Sequence, residues 1–186
     1  MEIRDARPAD AAAVAAVARG SWHAAYDDLL GPETVDETVD AWYDIESLRE
    51  GISEAVADPG RCFFVAESDD GDGVAGFANA GGARDWESDP DGPDAFFSRL
   101  YVVPDHWGEG IGTRLSRAVA RHLRDQGHER VWLEVFAANE RGRAFYESLG
   151  FERIGSVTET FGGTDVTTLH LAAPVDALAT ATAERP

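Results

Sequence analysis

A chain of 186 residues with 44% apolar content has material for one sizeable core; its apolar runs fall short of the ~18 residues of a membrane helix, and the opening Met1-Glu2-Ile3-Arg4-Asp5 lacks signal-peptide character, so a cytoplasmic protein with no membrane partner is expected. Its 35 acids against 16 bases give a net charge of −19, a field that repels phosphate backbones and argues against nucleic acid as a partner. One cysteine, Cys62, and five scattered histidines exclude an intrachain disulfide and argue against a structural metal.

In chain order, Ile3–Ala6 is predicted as a short strand. An Ala-rich helix follows from Asp10, with Val14 and Val17 on one side, ending near Gly20. An aromatic segment, Trp22 to Tyr26, precedes the break at Gly31-Pro32, and Thr34–Trp42 and Ile45–Val56 are predicted helices with acidic faces. Cys62–Ala66 and Val74–Ala78 read as a hairpin about the turn at Asp69–Gly73, and a polar loop spans Gly81 to Asp94. Ala95–Phe97 and Leu100–Val103 form a strand stopped by Pro104, after which Ile111, Leu115, Val119 and Leu123 recur at helical spacing. Val131–Phe136 is a strand, Asn139–Leu149 a helix closed by Gly150, and Phe151–Phe161 with Thr164–Leu171 a hairpin around Gly162-Gly163. Ala173–Pro186 carries only Val175 and Leu178 as large apolar residues and is expected to fray.

The chemistry concentrates in Gly108-x-Gly110-x-Gly112, placed between a strand and the start of an amphipathic helix. Glycines there let the backbone turn tightly and aim N–H groups at one point, and the helix dipole adds partial positive charge, which suits a phosphate. A turn that binds nothing is the plain alternative. No Gly-Lys-Ser/Thr follows, as a P-loop needs, and the Rossmann spacing is absent.

From Leu100 to Phe151 the chain resembles the GNAT superfamily of N-acetyltransferases. Leu100-Tyr101-Val102-Val103-Pro104 followed by Gly108-Glu109-Gly110-Ile111-Gly112-Thr113-Arg114-Leu115 is similar to that superfamily's acetyl-CoA pyrophosphate loop. Leu133-Glu134-Val135, then Asn139, then Ala144-Phe145-Tyr146-Glu147-Ser148-Leu149-Gly150-Phe151 is similar to its Asn-to-Tyr helix and the Gly-Phe beyond. With Ile3-Arg4 and the Trp22–Tyr26 segment, the likeness reaches to about Leu171. It implies an α/β (α+β) GNAT fold, a mixed and mostly antiparallel twisted sheet of about six to seven strands flanked by about four helices. One domain over residues 1–172 is then expected, with a flexible tail at 173–186.

The resemblance implies acetyl-CoA as co-substrate and a primary amine of a small molecule or peptide as acceptor, with direct transfer in a ternary complex. Backbone groups of Gly108, Glu109, Gly110, Ile111, Gly112 and Thr113, headed by Trp107, would hold the pyrophosphate. Val102 and Val103 would meet the pantetheine arm where the strand splays, and a backbone N–H there would polarise the thioester carbonyl. Asn139 would bond the cofactor's amide region, Arg143 would add positive charge, and Tyr146, two turns along the same helix face, would give a proton to the thiolate. Its plain alternative is a half-buried core aromatic. Trp22, His23 and Tyr26 would line the acceptor site, with Trp42, Tyr43 and Trp86 as outer candidates; aromatics over an acidic surface suit a cationic amine.

Three positions depart from the family pattern. Trp107 replaces the common Arg or Gln, Glu109 puts a negative charge beside a polyphosphate, with Arg114, Arg141 or Arg143 to offset it, and Phe96 stands where some relatives carry a Glu base. Glu134, in the middle of an apolar strand, is then the first candidate for the base, as a buried carboxylate of raised pKa, unless it points outward; His106 and His23 follow. A non-catalytic acyl-CoA sensor is the rival reading, and an ATP or dinucleotide domain a more distant one. A homodimer is expected only by analogy with relatives that pair through C-terminal strands. All 16 basic residues are arginine, which together with the acidity suggests work in concentrated salt, where the Debye length shrinks to ~3 Å at 1 M; high genomic GC content would give the same arginine bias.

Overall fold

The structure, a computed structural model, describes residues 1–68, 73–82 and 95–180. Strands β1 (Glu2–Asp5), β2 (Arg61–Glu67), β3 (Val74–Gly82), β4 (Ala95–Val102), β5 (Arg130–Phe136), β6 (Glu152–Phe161) and β7 (Thr164–Pro174) join in one sheet of order β1-β2-β3-β4-β5-β7-β6. Every neighbouring pair is antiparallel except β4 and β5, which run parallel and match only at Ala95 with Val131 and Phe96 with Trp132. Beyond those two pairs the strands part, and the sheet opens toward the end of β4.

Helices α1 (Ala11–Leu30), α2 (Pro32–Trp42) and α3 (Ile45–Ala57) cover one face, while α4 (Ile111–Asp125) and α6 (Val175–Thr180) cover the other. The short α5 (Glu140–Ser148) reaches the start of α4 through Phe145. Strand alternation divides the core: Val131, Leu133 and Val135 of β5 face α4, while Trp132 packs on Phe96 and Ala172, and Phe136 joins the α1 side. On α4, Ile111, Leu115, Val119 and Leu123 are all sealed in, as their four-residue spacing predicts. Asp44 caps α3 by accepting from the backbone N–H of Glu46 and Ser47. Arg4 ties β1 to its surroundings through Asp10, at 2.8 Å, and Glu67, at 2.9 Å.

The expected mixed, mostly antiparallel sheet is present, and the described residues form seven strands and six α-helices, against the six to seven strands and about four helices expected. The helix expected to stop near Gly20 runs on to Leu30 and carries the whole Trp22–Tyr26 segment. A helical Gly costs about 1 kcal/mol, which burial of Trp22, Tyr26 and Leu30 outweighs; the true stop is Gly31, at φ 80°, ahead of Pro32. The frayed tail expected from Ala173 also needs correction. Ala173 and Pro174 complete β7, and Val175 and Leu178 of α6 are buried against the α4 core. Residues 181–186, most of the turn expected at 69–73 and most of the loop expected at 81–94 lie outside the described residues.

Candidate functional site

The glycine run forms the turn into α4. Gly108 and Gly110 take φ of 84° and 77°, the left-handed region that an L side chain resists. Gly110 is the N-cap of α4 and contributes no side-chain bond, and the first helical hydrogen bond is Arg114 N–H to the Gly110 carbonyl. The N–H groups of Ile111, Gly112 and Thr113 therefore have no partner within the helix. A Cβ on Gly112 would come within 3.1 Å of the Phe145 ring, so a side chain there would press on that ring where α5 closes against this turn. A tight backbone nest at a positive helix end fits a pyrophosphate.

Glu109 is exposed and turns to His106, with Oε2 2.9 Å from Nδ1. Trp107 acts as a brace: its Nε1 donates to the Val102 carbonyl at 2.7 Å, and the Arg141 guanidinium lies 4.6 Å from its ring centre. A cation thus stands beside the loop despite Glu109. Arg114 instead donates to the Met1 carbonyl.

At the opening of the sheet, Val103 N–H donates to the Ala75 carbonyl at 2.9 Å and so belongs to the ladder with β3. Of the two residues expected where the strand splays, Val103 thus gives its amide to β3, and alternation along β4 turns the Val102 N–H toward the gap. The Val102 carbonyl accepts from Ser21 Oγ, at 3.0 Å, as well as from Trp107.

Aromatic side chains stand on the α1 side of this opening. Trp22 Nε1 donates to Tyr101 Oη at 3.2 Å, Tyr43 Oη donates to Tyr101 Oη at 2.8 Å, and Asn139 Nδ2 donates to Tyr26 Oη at 3.0 Å. Burial pushes the Tyr26 phenol up to about 12 and holds Tyr101 well above its ordinary range. Trp22 and Tyr26, expected to line an acceptor pocket, are buried in the α1 core and anchor the helix; Trp42, edge-on to Trp22, is half exposed. Tyr146 is half-buried between Phe145 and Phe151, and burial first, then Tyr26 and Tyr43, raise its phenol above the ordinary range. All four tyrosines of the chain converge here. Tyr43 and Tyr101 carry the network, yet nothing local distinguishes Tyr101 from any strand aromatic.

Asn139 is the N-cap of α5, its Oδ1 accepting from Gly142 N–H at 2.8 Å, so both ends of its amide have protein partners. Arg143 Nη1 donates to the Ala137 carbonyl at 2.8 Å, while its Nε is buried without a hydrogen bond.

The base candidates separate from this cluster. Glu134 is exposed rather than buried, with Oε1 3.3 Å from Nε2 of His170 on the neighbouring β7, a partner that its strand alone did not reveal. His23 faces α2, with Nδ1 2.8 Å from Asp27 and Nε2 3.3 Å from Asp36, outside the tyrosine cluster. His106 is on the surface with Glu109. Phe96 packs at a tilt against Trp132, ring centres 4.6 Å apart. Trp86 lies outside the described residues.

A family model described as the GNAT acetyltransferase family matches residues 22–151. An uncharacterized N-acetyltransferase of Mycobacterium bovis is 32% identical over 155 residues, 82% of this chain and 90% of that one. An aminoglycoside N(6')-acetyltransferase type 1 of Stenotrophomonas maltophilia is 30% identical over 151 residues, 81% of this chain and 85% of that one. Among solved structures, the PaiA N-acetyltransferase of Thermoplasma acidophilum in complex with coenzyme A superposes with a TM-score of 0.76 at 23% identity, covering 93% of this chain and 98% of that one.

Proposed function

The chain belongs to the GNAT family of acetyltransferases, and from that premise we propose that it works in the cytoplasm, in concentrated salt, moving an acetyl group from acetyl-CoA to a primary amine of a small molecule or peptide by direct attack in a ternary complex. The observation that carries the reading is the gap between β4 and β5 beside the three-glycine turn of α4. Acetyl-CoA, when bound, supplies an activated thioester carbonyl and a thiol leaving group.

This chain's residues divide the remaining work. The N–H groups from Gly108 to Thr113, with the α4 dipole, hold the pyrophosphate. Arg141 on Trp107, and the free Arg143 Nε–H, add positive charge and a donor. Val102 N–H donates to charge developing on the carbonyl oxygen. Asn139 orients Tyr26 and the start of α5, and the second N–H of its amide is the donor it offers the cofactor. Tyr146 stays neutral at any ordinary pH; with a pKa far above the ~8.5 of a thiol, its hydroxyl stabilises a sulfur anion by hydrogen bonding more than by surrendering its proton.

Titration with acetyl-CoA in molar KCl, followed by thiol release with a panel of amines, tests this. Saturable binding and turnover are expected, and Tyr146→Phe should lower kcat by ~10²-fold or more with little change in cofactor affinity; an unchanged kcat removes Tyr146 from the mechanism. A second reading, an acyl-CoA sensor without turnover, draws support from Phe96 packed against Trp132 and from the exposure of Glu134. Turnover of any amine excludes it.

A further inference from the structure

On the face covered by α3, the sheet holds a cleft of about 360 Å³, walled by Trp42, Ser47 and Leu48 and floored by Asn79, Phe96 and Arg99. In a chain with 35 acids, no described residue lining this hollow is Asp or Glu. Two arginines reach it. Arg61 is committed to Glu54, at 3.0 Å, and Asp58, at 3.4 Å. The Arg99 side chain has no ion pair or hydrogen bond with any described residue, and its guanidinium lies over the Tyr43 ring, 5.1 Å from the centre. Across the ladder from Arg99, at the matching position of β3, stands Asn79, whose buried Oδ1 has no hydrogen-bond partner.

These groups are joined to the opening of the sheet. Tyr43, under Arg99, donates to Tyr101, the residue before Val102. Arg99 itself precedes Val102 by three residues, about 10 Å of strand. A guanidinium seated over an aromatic ring, with no side-chain hydrogen bond to a described residue, keeps donors free, in the fork that matches a carboxylate. Turning the Asn79 amide over exchanges its oxygen for an NH2 and adds a second donor. A polycation would set positive charge against Arg99.

We propose that the Arg99–Asn79 cleft is the acceptor's anion subsite, so that the amine acetylated at the Val102 opening belongs to an amino-acid-like molecule bearing a carboxylate within about 10 Å of its nitrogen. The proposal rests on the acetyl-transfer reading and narrows it: a hollow whose described lining holds arginine and neither Asp nor Glu selects a zwitterionic acceptor from a surface whose overall charge would favour cations.

The test compares an α-amino acid panel with the matching amino acid amides, reading thiol release in molar KCl. The acids should be favoured in kcat/KM, and Arg99→Gln should cut the acid-to-amide ratio by about 10- to 100-fold, the range for a lost charge-assisted hydrogen bond. Because the ratio is taken within one preparation, a partly unfolded variant does not distort it. Amides used as well as acids, or a ratio indifferent to Arg99→Gln, overturn the subsite and leave acetyl transfer standing. Absence of turnover with every amine sinks acetyl transfer instead. Calorimetric titration of the same amino acids then decides the subsite alone: saturable binding lost in Arg99→Gln supports it, and no saturable binding to the unaltered chain overturns it.

Discussion

Asn139 and Gly112 show how single residues hold two requirements at once. Asn139 caps α5 and fixes Tyr26 through the two ends of one amide, and a Cβ on Gly142 would sit 2.7 Å from Asn139 Nδ2 and push that amide out of place. Asn139→Ala should lower stability by about 1 kcal/mol, the cost of a lost cap, read as a shift in the urea midpoint. Gly112→Val should abolish acetyl-CoA binding by calorimetry, since its side chain must displace the Phe145 ring and fill the nest; unaltered affinity would remove the loop from the binding site. The glycines of the nest were legible because their spacing is itself local. The positions of His23 and Glu134 were not, because their partners Asp36 and His170 come from other elements.

At the scale of elements, periodicity predicted α4 and the strands well and failed where packing overrides propensity. Gly20 is a fair stop signal by local rules, yet α1 continues because its second half carries Trp22 and Tyr26 into the core. In α6 two apolar residues, three apart, are too few for a periodic signal, but both are sealed against the α4 side. Each is worth roughly 1.5–3 kcal/mol of burial, a large share of a typical total of 5–15 kcal/mol. Deleting residues 175–186 should therefore lower the urea midpoint sharply, whereas removal of a frayed tail would leave it where it was. The gap between β4 and β5 was legible only through the family likeness; no residue in either strand announces where pairing stops.

For the whole molecule, charge sets the conditions. Thirty-five acids and 16 arginines leave −19 to repel itself in dilute buffer, so Tm should rise by about 10 °C or more between 0.05 and 2 M KCl as screening takes hold; a Tm indifferent to salt would leave the arginine bias to base composition alone. The buried tyrosines set the alkaline limit. Tyr26 titrates near 10 when unfolded and is pushed up to about 12 in the fold, so the neutral phenol is favoured by folding. Its contribution is complete below pH 10 and is lost as pH rises from about 10 to 12, which urea unfolding across that range, with phenolate absorbance alongside, will register.

The two-pair seam between β4 and β5 carries a mechanical consequence. Within one half the strands β1 to β4 are stitched along their lengths, and β5 to β7 likewise in the other, so each half behaves as a stiff plate. Ladder bonds join the plates only along the short spine of Ala95–Phe96 and Val131–Trp132, and elsewhere the two are held together by the side chains both bury under α4. Amide hydrogen exchange should accordingly be faster at that spine than inside the β2–β3 ladder, and the width of the gap becomes a soft coordinate that a longer acyl chain can widen without disturbing either plate.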